Sequence, residues 1–108
     1  AKAAFGHLEP NFATVLREPR NLDARAAMQI GAHFAGMAIE SAMLGICHSC
    51  ANPLTAHYGI THGVAIGVLL PHVVRFNAPV VEKLYEELIG ARMHNGQPAS
   101  ELLAARAA

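Results

Sequence analysis

Two stretches of this chain are apolar on nearly every side, one from about Leu22 to Cys50 and one from about Thr61 to Phe76. In the first, Ile30, Phe34, Met37 and Leu44 recur near helical spacing. Small residues recur four apart at Gly31/Ala35, Ala32/Gly36, Ala38/Ala42 and Ser41/Gly45. Small residues on several faces let other helices approach closely, so such a helix belongs in the middle of a bundle. The second run, Thr61 to Val74, is interrupted only by His62, His72 and small or helix-bending residues, and Pro71 should kink it. A chain with two such helices must cover all their sides, and 108 residues leave little else to do it with.

Composition sharpens that conflict. Hydrophobic residues make up 53% and charged residues 15%, against roughly 25% charged in an ordinary soluble domain. Alanine is abundant, while Val, Ile and Thr are too thinly spread for several strands, so the expected fold class is an all-α helical bundle. The apolar excess points to part of something larger, or to a face buried against a partner such as a second copy.

Several classes drop out. Eight basic against eight acidic residues leave no electrostatic footprint for nucleic acid. The stretch Ala26 to Ile39 reads as the longest nearly uncharged one, and it is short for a membrane span of about 20 residues, so no membrane is expected. The opening Ala1-Lys2-Ala3-Ala4 leads into polar Gly6-His7-Leu8-Glu9-Pro10, unlike a secretory signal. Two cysteines three apart, Cys47 and Cys50, make no disulfide framework, and a reducing cytoplasm is the expected location. No Gly-rich strand-to-helix loop is present for a nucleotide, and no serine sits on an elbow beside a histidine and aspartate.

Punctuation divides the rest. Residues 1–17 read as a helical stretch interrupted around Gly6 and Pro10. Glu18 to Asn21 is a turn, with Asn21 or Asp23 capping the long helix that follows to Cys50. Asn52-Pro53 should end or bend that helix, and a linker with a turn of helix (54–58) passes Gly59 into the next. Ala78–Ala91 reads as a separate amphipathic helix, with Val81, Leu84 and Leu88 inward and Glu82, Lys83, Glu86 and Glu87 outward. Pro98 opens a last helix that reaches Ala108 without a stop signal, as in a truncated chain.

The densest polar cluster lies at the seam of the two apolar runs: Cys47-His48-Ser49-Cys50-Ala51-Asn52-Pro53, then His57 and His62-Gly63. Bends at Asn52-Pro53 and Gly59 can bring His48 and His62 together. Two imidazoles in apolar surroundings suit a divalent iron or zinc ion, although a buried histidine is more often a satisfied core residue. Cys47 and Cys50 with a histidine can imitate a zinc site, and a Cys-x-x-Cys at a helix start can be a redox pair. Near a helix end, where this pair is expected, the dipole raises a thiol pKa, so inert buried thiols are the expectation. His7, His33, His57, His72 and His94 have no spacing that selects them, though His72 can line the same cavity.

From His48, Pro53 follows five residues on, His62-Gly63 begins fourteen on, and Leu70-Pro71-His72 precedes Arg75-Phe76-Asn77. In this order the segment resembles the iron-containing alcohol dehydrogenases, and the likeness extends over about residues 5–90. The resemblance implies an all-helical, dehydroquinate synthase-like α domain, of which residues 1–108 would be one partial domain. It implies a nucleotide-binding N-terminal domain outside this chain, holding NAD(P), with a small alcohol or aldehyde as substrate. His48 and His62 match the family's third and fourth ligands to Fe2+ or Zn2+. The first two, an Asp and a His four residues later, have no match here, since the residue four after Asp23 is Ala27. Asn52 stands where the family commonly has a histidine suspected in proton transfer, and an amide exchanges no proton near neutral pH. The resemblance therefore implies a piece of a metal-dependent alcohol dehydrogenase, inactive by itself. The other expectation is a non-catalytic helical module that associates through its apolar face.

Overall fold

A computed structural model describes residues 1–90 and 96–108, and the described residues form five α-helices and no strand. His94 lies outside them. The helices divide between two compact units, residues 1–43 and 44–108.

The first unit pairs α1 (Lys2–Arg17) with α2 (Leu22–Ala42). Neither Gly6 nor Pro10 interrupts α1, contrary to expectation. A proline there forfeits one backbone hydrogen bond, and the surrounding helix absorbs that loss. The turn falls where expected, and of the two candidate caps Asn21 does the work: its Oδ1 accepts from the Ala24 amide at 3.0 Å, while Asp23 sits in the first turn. Gly31 is the close-approach point, because a Cβ there would lie 2.7 Å from Leu8 Cγ. Gly36 meets nothing within 4 Å, so only one of the expected small-residue faces is used here. Around this crossing Ala4 and Ala24 are buried, and His7 stacks on Phe34 with ring centres 5.9 Å apart.

The long helix expected to reach Cys50 stops at Ala42. Met43 turns to φ +65, a left-handed conformation costly for a residue with a long side chain, and Gly45 is the extended N-cap of the next helix. The break therefore lies ten residues before Pro53, which sits inside α3 (Ile46–Tyr58) and ends nothing. Proline reads as a stronger breaker than glycine, yet here its cost is one hydrogen bond and the backbone around Met43 sets the boundary.

In the second unit α3 ends on Gly59 in the left-handed region, φ +65, with its amide on the Thr55 carbonyl at 3.1 Å. Helix α4 (His62–Ile89) then runs unbroken where two helices were expected, carrying Pro71 and Pro79 inside. Its length and composition suffice to cross a membrane, with a mean hydropathy of 1.6 over its most apolar stretch. The longest apolar run is thus here and not at 26–39. Core helices of larger proteins have the same composition.

Helix α5 (Ala99–Ala107) packs on α4 through Ala99, Ser100, Leu103 and Ala104, all buried. Glu82, expected to face outward, is half-buried, and its Oε1 accepts from the Ser100 amide at 3.0 Å, in the first turn of α5. Arg75 Nε contacts both oxygens of Glu101 at 3.1 Å. Leu84, expected inward, is 60% exposed. It continues a ridge of exposed Val64, Val68, Phe76 and Val80, four or eight residues apart along α4.

Candidate functional site

His48 lies in the first turn of α3 and His62 is the first residue of α4. The connection Gly59–Thr61 carries the chain back along α3, so the beginning of α4 lies beside the beginning of α3. Cys47 Sγ, 3.9 Å from the Ile66 carbonyl, marks the same juxtaposition. The close approach is made by small residues, since Ala51 and Ala65 are both buried. One turn at Gly59 does what two bends were expected to do.

The two imidazoles come together with ring centres 5.2 Å apart and planes tilted by 45°. Two imidazoles sharing one tetrahedral ion, each nitrogen about 2.0–2.1 Å from it, have ring centres about 5 Å apart. The observed ring-centre separation falls in that range. His48 is half-buried and His62 exposed, so the pair faces outward from the unit. Among the described residues no group of three or more His, Cys, Asp or Glu side chains converges for a metal.

Asn52 follows His48 by one helical turn on the same side of α3 and is exposed. Thr55 carries a buried hydroxyl with no hydrogen-bond partner, which the sequence did not single out. A threonine in a helix usually satisfies its hydroxyl on the preceding turn, so nothing local announces this one. His57 is exposed. His72 lies apart from the pair and lines, with Val64, Val68, Pro71 and Arg75, an open groove toward the end of α5.

The cysteines occupy a different place from the one expected. Because α3 begins at Ile46, Cys47 and Cys50 stand near its N-terminus, at the positive and not the negative end of the dipole. Cys47 is buried and Cys50 exposed, both as free thiols. The Cys47 thiol is still pushed above its usual range, first by burial and then by neighbouring Cys50.

Residues 3–107 match the family model described as Fe-containing alcohol dehydrogenase family, C-terminal. The chain is 42% identical to the lactaldehyde reductase of Escherichia coli over 66 residues, 61% of this chain and 17% of that protein. It is 49% identical to the 1,3-propanediol dehydrogenase of Citrobacter freundii over 57 residues, 53% of this chain and 15% of the relative. Against the methanol:N,N-dimethyl-4-nitrosoaniline oxidoreductase of Rhodococcus erythropolis the identity is 37% over 81 residues, 75% and 19% of the two chains. The matched segments span less than a fifth of the length of these relatives. No solved structure gives a significant match.

Proposed function

Because this chain belongs to the Fe-containing alcohol dehydrogenase family, as part of its C-terminal region, we propose that it is one partial domain of an enzyme moving a hydride between a small alcohol or aldehyde and NAD(P). The observation that carries this reading is the meeting of His48 and His62 at 5.2 Å across the α3–α4 turn. These two side chains would hold a divalent ion, Fe2+ or Zn2+, together with donors from outside residues 1–108. Such an ion, when bound, supplies a Lewis acid that makes negative charge on the substrate oxygen less costly.

The protein's own residues set the rest. His48 is fixed by the first turn of α3, whose buried neighbour Cys47 anchors it against α4. Asn52, one turn along, can orient a hydroxyl or a water by hydrogen bonding but moves no proton, so proton transfer must run through another group or through solvent. The exposed ridge of α4, Val64 through Leu84, fits a helix that the remainder of a longer protein covers, and that cover would exclude water from the reacting centre. NAD(P) would be held by a separate nucleotide-binding domain, and residues 1–108 alone would be inactive. A cytoplasmic setting fits two free cysteines.

His62→Ala in the full-length enzyme tests the assignment. His62 is exposed and begins its helix, so its loss should leave the fold intact. Metal content and turnover should both fall sharply, by an order of magnitude or more in turnover. Retention of both would overturn the metal reading.

A further inference from the structure

We propose that Cys47 and Cys50 form a thiol–disulfide exchange pair, reacting with small organic disulfides to close a reversible bridge within the first turns of α3. This does not rest on the metal reading. Three observations combine. The thiols are both free and three residues apart on one helix, which places their Cα atoms about 5 Å apart, inside the span a disulfide bridges. They differ in access: Cys50 is exposed and Cys47 buried. They also lie together in the first turns of α3, directly after its extended N-cap Gly45.

The asymmetry fixes the order of events. Cys50 sulfur attacks one sulfur of the incoming disulfide, and the other leaves as a thiolate that takes up the proton lost by Cys50. Cys47 sulfur then attacks the Cys50 sulfur of the mixed disulfide, expelling the second thiolate, which takes up the Cys47 proton. Two protein thiols are oxidised to one bridge, and one small disulfide is reduced to two thiols. The bridge removes the Cys47 S–H that faces the Ile66 carbonyl, so closing it releases one link between α3 and α4.

The test uses oxidised glutathione on the reduced protein, followed by alkylation and tryptic mapping. Residues 26–75 contain no Lys or Arg before Arg75, so both cysteines fall in one peptide. The wild type should yield that peptide unalkylated and about 2 Da lighter than its dithiol form, reverting under dithiothreitol. Cys47→Ser should accumulate glutathione on Cys50, and Cys50→Ser should leave Cys47 largely free. A wild type that keeps two alkylatable thiols, stalls as a glutathione adduct or links to a second chain through Cys50 overturns the proposal. So does preferential modification of Cys47 in the Cys50→Ser protein.

Discussion

The α1–α2 pair and the α3–α4–α5 assembly are both purely helical, but they are held by different means. In α1–α2 the asparagines act locally: Asn21 caps its own helix three residues on, and Asn11 Nδ2 donates to the His7 carbonyl one turn back. Its tertiary packing depends on a missing side chain, at Gly31 against Leu8. In α3–α5 the contacts cross between helices: Cys47 to Ile66, Glu82 to the α5 amide of Ser100, Arg75 to Glu101, His48 to His62. The first unit is stabilised by fit, and the second by polar groups that meet only once it has folded. The groups with chemistry to offer belong to the second kind.

The largest expected effect breaks the first half of that comparison. Gly31→Ala adds a Cβ 2.7 and 2.8 Å from Leu8 Cγ and Cδ2 and 3.1 Å from His7 Cβ. Branched carbons near the backbone give way poorly, so overpacking should cost about 1–3 kcal/mol despite the better helix propensity of alanine. Gly67→Ala in α4 meets nothing within 4 Å and should gain about 0.5–1 kcal/mol. Urea midpoints of the two variants in this chain should move in opposite directions. A common gain would mean that the α1–α2 approach is looser than its geometry.

The caps give the next largest effect. Asn21→Ala removes a local cap and should cost about 1 kcal/mol, seen as lost helicity as well as a lower midpoint. Glu82→Gln keeps a carbonyl acceptor for the Ser100 amide and removes only the charge at the start of α5, at a cost of about 0.3–1 kcal/mol. Glu82→Ala should cost more than the glutamine variant. If the two Glu82 variants are equal, charge and not the hydrogen bond holds α5 in place.

The same pair of caps shows which parts of this structure can be read from sequence. Asn21 is legible because an N-cap and its amide partner are three residues apart, and the rule that finds it needs no tertiary information. Glu82 is not, because its partner is eighteen residues away and its own neighbours Lys83, Glu86 and Glu87 suggest a solvent face. The helix break shows the same limit. Pro10, Pro53, Pro71 and Pro79 all stay inside helices, while the real boundary is set by Met43 in a conformation that no local rule assigns to methionine. The meeting of His48 with His62 was legible through the order of motif residues and Gly59, though the turn that achieves it was half misplaced. The placement of Cys47 and Cys50 was misread because it depends on that same boundary: shift the helix start to Ile46, and a pair near a C-terminus becomes one near an N-terminus.

The smallest effect sharpens the second half of the comparison through pH. The Tyr85 hydroxyl is pushed above its ordinary value of about 10, first by burial and then by the Glu82 carboxylate, against an opposing hydrogen bond with Asn77. The folded chain therefore keeps this proton to higher pH than the unfolded chain. Below the unfolded value the stabilisation is fully present. As pH rises from there toward the folded value, the unfolded state binds fewer protons and stability is lost. The raised Cys47 thiol adds a loss of the same sign beginning at lower pH. Tyr85→Phe should leave the urea midpoint near neutrality almost unchanged and flatten its decline in the alkaline range, with the earlier cysteine component intact. Parallel declines in wild type and variant would mean that the α4 surface around Tyr85 is open to water in solution, and that the polar closure distinguishing α3–α5 from α1–α2 ends short of that turn.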